Sequence, residues 1–138
     1  MEIFNELTDE LFDVLCAESR LPLREELSDF SHGELAILVY LRDERSGLFS
    51  GELSEALTMT LPRMSAAISG LVKKGYVSKT TDLTDRRKIR INITPAGLEH
   101  VTEKETALRE RISDLILKLG ENGTAEYIRI LKRINTCI

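Results

Sequence analysis

The stretch from Leu53 to Ile93 constrains the fold more than any other part of the chain. It reads as helix, tight turn, helix, strand, charged loop, strand. Ser50 can cap a short helix through Leu57, with Leu53, Ala56 and Leu57 facing inward. Thr58-Met59-Thr60 makes the turn. Thr60 caps the next helix and Pro62 sits in its first turn, where a missing N–H costs nothing. Met64, Ile68, Leu71 and Val72 form the apolar face of that helix, which runs to Lys74. Gly75 is its left-handed stop. Tyr76 to Thr81 is a strand candidate. Lys88 to Ile93 alternates in the strand period and sets three isoleucines on one face. Between them, Asp82 to Arg87 is polar and turn-like, so the pair closes as a β-hairpin.

Charge singles out the same stretch. Between Met59 and Ile93 eight basic residues face two acidic ones, an excess of six positive charges. The whole chain has a formal net charge of −4, so the remainder carries a net −10. Such asymmetry points to a local anionic partner, most simply nucleic acid.

The flanks read as helices. Ile3, Leu7, Leu11 and Leu15 recur every fourth residue from Glu2 to Glu18, with Phe4, Phe12 and Val14 widening the stripe. Arg20-Leu21-Pro22 breaks that helix. Leu23 to Phe30 reads as a connector with room for one helical turn. Ser31 and Glu34 have capping-box spacing ahead of a nearly all-apolar helix through Leu41, which implies a central, buried element. Arg42 to Phe49 is a polar connection containing Gly47. Thr94-Pro95 opens a long helix with Leu98, Val101, Leu108, Ile112, Leu115 and Leu119 near heptad spacing, and Gly120 to Gly123 ends it. A last helix, Thr124 to Ile134, presents Tyr127, Ile128, Leu131 and Ile134 on one side. The apolar stripes at the two ends exceed what one small lobe covers, which predicts a partner chain.

The expected architecture is mainly α with a small β-hairpin wing: a winged helix-turn-helix with N- and C-terminal dimerisation helices. Residues 1–30 form the N-terminal helix and connector, 31–95 the winged lobe, and 96–138 the C-terminal dimerisation helices. In such a lobe the second helix of the pair enters the major groove while the first braces the backbone. Away from its apolar face that helix carries Leu61, Pro62, Arg63, Ser65, Ala66 and Ser69. Arg63 can read a guanine edge or grip a phosphate, and Ser65 and Ser69 can bond to either. Ala66 is small enough for close approach. Thr60 is first a helix cap, but the free N–H groups there also favour a phosphate. Lys73, Lys74 and Lys79 by themselves read as a plain solvated face, with Lys73 kept as a candidate phosphate anchor. Asp85-Arg86-Arg87-Lys88 puts three cations at a protruding tip, which suits a narrow, negative minor groove.

Leu53-Ser54-Glu55-Ala56-Leu57, then Leu71-Val72-Lys73-Lys74-Gly75-Tyr76-Val77, then Asp82 through Asp85-Arg86-Arg87, then Ile93-Thr94-Pro95-Ala96-Gly97 together resemble the multiple-antibiotic-resistance regulator (MarR) family of bacterial transcription factors. The match covers about the middle third of the chain. The resemblance implies a homodimeric DNA-binding regulator, most simply a repressor, gripping a near-palindromic double-stranded site. It makes Arg87 the minor-groove arginine and Asp85 the acid that orients it. It places Ser65 where the family commonly has serine, and Ala66 where arginine is frequent. It also implies a small-molecule effector, which no residue here names.

Other readings stay beside this one. Cys16 resembles the reactive cysteine of a hydroperoxide-sensing branch, which makes redox control an alternative sensing mode. Phe12, Val14 and Leu15 make it look like packing instead. A winged-helix protein-interaction module is the alternative function. His32 and His100 read as solvated, so no metal is expected. No phosphate-binding or dinucleotide fingerprint and no catalytic triad is present, so neither enzyme nor cofactor is expected. Cys16 and Cys137 suggest free thiols, no basic-then-apolar start suggests a leader, and no run is long enough to span a bilayer. A cytoplasmic protein without membrane contact is expected.

Overall fold

The computed structural model describes residues 1–137, in two compact units, Met1–Thr102 and the residues from Glu103 onward. The elements are α1 (Glu2–Ser19), α2 (Pro22–His32), α3 (Glu34–Asp43), β1 (Leu48–Phe49), α4 (Ser50–Ala56), α5 (Leu61–Lys74), β2 (Val77–Thr81), β3 (Ile89–Ile93) and α6 (Pro95–Cys137). Three strands make one antiparallel sheet in the order β1-β3-β2. Val77 pairs with Ile93 and Thr81 with Ile89 across the hairpin, while Leu48 pairs with Ile91 on the other edge of β3.

One core holds the first unit together. Ile37, Leu38 and Leu41 of α3 meet Leu53 of α4, Met64, Ile68 and Leu71 of α5, Leu48, Val77 and Ile91 of the sheet, and Val101 of α6. The apolar face read from α5 is thus its buried face, except that Val72 stays 39% exposed. Burying each such side chain contributes about 1.5–3 kcal/mol. Of the three isoleucines of β3 only Ile91 is fully buried; Ile89 is exposed at the end of the strand.

Several expectations are corrected. Leu23 to Phe30 is no connector but lies within α2, led by Pro22 at its first position. Ser31 does not cap α3. It sits within α2 and donates its hydroxyl to the Leu27 carbonyl at 3.1 Å, so Gly33 takes the cap position without a side-chain bond. Ser50 is already helical; Phe49 precedes it, and the Glu52 carboxylate accepts from the Phe49 N–H at 3.3 Å. Residues 42–49 contain β1, which is two residues long. Among the described residues of the second unit the helix breaks only at Gly120, whose φ of 81° and ψ of 161° are open to glycine alone, and it resumes at once.

Thr94 fixes where α6 begins. Its N–H donates to the Tyr76 carbonyl at 3.0 Å, its hydroxyl donates to the Gly75 carbonyl at 2.6 Å, and the same oxygen accepts from the Gly97 N–H at 3.0 Å. A Cβ on Gly97 would stand 2.1 Å from the Tyr76 carbonyl oxygen. That contact is with backbone, so no rotamer change relieves it. Gly97→Ala should therefore cost about 1–3 kcal/mol and lower the melting temperature by roughly 5–10 °C. A midpoint unchanged in a circular-dichroism melt would contradict this close approach.

Candidate nucleic-acid interface

The turn before α5 is locked from inside. Buried Ser54 donates its hydroxyl to the Met59 carbonyl, and the Met59 N–H returns a bond to the Ser54 carbonyl at 3.0 Å. Thr58 takes a left-handed backbone, φ 53°, to complete the reversal. Thr60 caps α5 as its sequence predicts, accepting the Arg63 N–H at 3.4 Å, and Gly75 ends the helix at φ 80°. Met64, Ile68 and Leu71 anchor the helix. Thr60, Leu61, Pro62, Arg63, Ser65, Ala66, Ser69 and Lys73 all remain exposed.

Two basic residues of α5 are engaged elsewhere. The Arg63 guanidinium donates to the His32 carbonyl at 3.4 Å, at the C-terminal end of α2, where a cation suits the helix dipole. Lys74 pairs with Glu34 at 2.6 Å, and that hydrogen bond raises the Lys74 pKa. Gly70 leaves room for the pair, since a Cβ there would meet the Glu34 carboxylate at 2.6 Å.

The wing is built around a carboxylate. Asp82 is buried to 6% exposure. One of its oxygens accepts the Thr84 hydroxyl at 2.8 Å and the Asp85 N–H at 3.1 Å, and the other accepts Arg90 Nε at 2.9 Å. Arg90 also donates from Nη1 to the Gly47 carbonyl at 2.8 Å, which ties the hairpin to the loop before β1. Gly47 turns there at φ 80° and donates its N–H to Ile91 at 2.8 Å. The Phe49 ring lies under two cations, Arg90 at 4.7 Å and Lys88 at 5.2 Å. Asp82 is held below the usual carboxylate range, first by the Thr84 hydroxyl and then by Arg90 and the Asp85 N–H, against the opposing effect of burial.

At the tip, Lys88 N–H closes a turn on the Asp85 carbonyl at 3.0 Å. The Asp85 carboxylate accepts from the Arg87 N–H at 3.1 Å and from its Nε at 3.3 Å. The Arg87 side chain stays 92% exposed, so this pair orients the guanidinium without sequestering it. Arg86 and Lys88 are exposed beside it.

Asp82, Arg90, Gly47 and Phe49 are the residues that sequence reasoning missed. Asp82 was readable as a turn former from Thr84 two residues on and Asp85 three on. The reach of Arg90 to Gly47 spans 43 positions and leaves no local pattern. His100 is not merely solvated: its ring stacks on Tyr76, centroids 4.2 Å apart. No group of three metal-ligating side chains occurs among the described residues, and no helix there is long and apolar enough to cross a membrane.

Residues 34–112, more than half of the chain, match the family described as Winged helix DNA-binding domain. The chain belongs to that family. Among sequence relatives, a protein named as a transcriptional regulatory protein for the hcr operon of Thauera aromatica is 26% identical over 64% of this chain, which spans only 53% of that relative's length. Among solved structures, the fold is shared with MepR, a transcription regulator of the Staphylococcus aureus multidrug efflux pump MepA. That likeness has a TM-score of 0.70 at 21% identity, over 94% of this chain and 96% of MepR. A MepR variant bound to an oligodeoxyribonucleotide aligns at a TM-score of 0.61 and 20% identity over the same shares. A MarR family protein from Bacillus stearothermophilus aligns at 0.67 and 17% identity, over 99% of this chain and 96% of that one. The MarR resemblance read from the middle of the sequence thus extends to the fold of nearly the whole chain.

For this winged helix, Asp82→Asn separates charge from architecture. Removing a negative charge leaves the wing more cationic, yet should loosen it, with faster amide exchange at Asp85 and Lys88. A depressed pKa also sets the sign with acid. The stabilisation from Asp82 is complete above an ordinary aspartate pKa of about 3.9 and is lost as pH falls through the lower folded value. Below about pH 4 the native protein should lose melting temperature more steeply than Asp82→Asn. Parallel slopes would contradict the role given to Asp82.

Proposed function

We propose that the protein is a homodimeric, sequence-specific DNA-binding transcriptional regulator, most simply a repressor released by a signal. The observation that carries this reading is the wing tip, where Arg86, Arg87 and Lys88 stand exposed on a loop fixed by Asp82 and Arg90. An ordered cationic tip loses little entropy on entering a narrow, negative groove. The α5 N-terminus, with Thr60 as cap, and Lys73 would anchor phosphates, while Leu61, Pro62, Ser65, Ala66 and Ser69 would face the bases, with Arg63 exposed beside them but donating to the His32 carbonyl. Asp85 would hold Arg87 for insertion. The duplex-bound MepR variant and the operon regulator of Thauera aromatica support this assignment.

Dimerisation draws support from the chain ends. Residues 1–30 and 96–138 would form a shared base, with residues 31–95 as the DNA-binding lobe. No residue of α1 is buried, and Ile3, Phe4, Leu7, Leu11 and Phe12 are each more than half exposed. Leu117, Leu119, Tyr127, Ile128, Leu131 and Ile134 are open in the second unit. Apolar area on this scale needs a partner, and a second copy answers the two-fold symmetry of a near-palindromic site. A small molecule is the effector this reading favours, and the cytoplasm the compartment. Cys16 is half-buried although Phe12, Val14 and Leu15 around it are exposed, so the packing first read for it would come from the second copy.

Arg87→Ala should weaken duplex binding roughly ten-fold or more at fixed, moderate salt, while the melting temperature holds. Log affinity of the native protein should fall linearly with log salt. Unchanged gel-shift affinity of the variant would remove Arg87 from the interface, and a flat salt response would remove phosphate anchoring. Light scattering should give twice the 15.6 kDa chain mass; a dilute monomer would refute the dimer.

A further inference from the structure

The outward face of α5 is short of the side chains that read purines and cytosine. From Leu61 to Val72 it contains no Asn, Gln, Asp, Glu or Lys, and one arginine. Asn and Gln are the bidentate readers of adenine, Asp and Glu accept from cytosine, and Arg or Lys reads guanine. Arg63, the sole candidate of this kind, donates to the His32 carbonyl at 3.4 Å. What remains outward is apolar or hydroxylic. Leu61 is 57% exposed and stands with Ser65 and Ser69 at successive four-residue steps, while Pro62 and Ala66 form a parallel row. One base-edge feature in the major groove matches apolar side chains, the C5 methyl of thymine.

We propose that α5 selects its site through thymine methyl groups, with Leu61, Pro62 and Ala66 as the contacting residues and Ser65 and Ser69 tolerant of either strand. The inference rests on the DNA-binding reading above and names the class of duplex that reading takes: A·T-rich under the helix. Exposed Leu61 then loses water only when a thymine methyl packs on it, so guanine and cytosine are rejected for want of a partner rather than by collision. The wing favours the same class independently, because A-tracts narrow the minor groove into which arginines insert.

Deoxyuridine lacks that methyl and keeps every hydrogen-bonding group of thymine. The test starts from a duplex selected by the native full-length protein from a random pool, with thymines replaced by deoxyuridine one position at a time. Each contacted thymine should cost roughly four-fold in affinity, the worth of one buried methyl. In Leu61→Ala or Ala66→Gly the penalty at the facing thymine should shrink toward none. The protein is unaltered in the first arm, so folding of a variant does not enter it. Affinity within two-fold after replacing every thymine overturns the inference and leaves DNA binding intact. A selected guanine whose preference vanishes in Arg63→Ala also overturns it, since Arg63 would then be the reader. Failure to retain any duplex overturns the DNA-binding reading, and this inference with it.

Discussion

The junction at Thr94 is the constraint on which the rest of the lobe depends. One hydroxyl donates to Gly75, at the end of α5, and accepts from Gly97, in the first turn of α6. The neighbouring N–H bonds the Tyr76 carbonyl, just before β2. Helix, hairpin and long helix are thereby registered to one another at a single residue. The absence of a Cβ at Gly97 permits the approach, since the carbonyl would otherwise lie 2.1 Å from it. A helix offered to a duplex and a hairpin offered beside it act together only if their spacing is fixed, and this knot of backbone contacts fixes one end of it.

The other end is fixed by charge. Arg90 spans from Asp82 in the wing loop to the Gly47 carbonyl, and its guanidinium also covers Phe49. Two residues of β1 suffice as an edge because Gly47 and Leu48 are held by Ile91 and Arg90 together. The buried Asp82 carboxylate is satisfied by three different donors, so its desolvation is offset. The arginines beyond it project from a scaffold held by these contacts, the kind of preorganisation that lowers the cost of binding.

Much of this was legible in the sequence because it is local. The four-, three- and one-residue steps through Met64, Ile68, Leu71 and Val72, the Thr60 cap and the Gly75 stop all act within a turn or two, and α5 stands where they put it. The alternation from Ile89 to Ile93 likewise declared a strand. The failures share a cause. Ser31 has the spacing of a capping residue, but helical continuation from Pro22 competed for it and prevailed. Residues 48–49 are too few for a period of two to show. Arg90 appeared as one more cation until the fold brought Gly47 and Asp82 within reach. Sequence reading placed the exposed candidates on α5 and the wing tip, and Asp85 beside Arg87, but not the longer-range contacts of Asp82, Arg90 and Gly47 that hold the wing.

Selection of duplexes from a random pool by the intact protein, at one moderate salt concentration, tests the central claim most directly. Two copies of an α5-and-wing unit held at a fixed separation should enrich paired, inverted half-sites whose centres lie about one helical turn, roughly 10 base pairs, apart. Enrichment of a single unpaired element, or of nothing beyond the starting pool, would contradict the account.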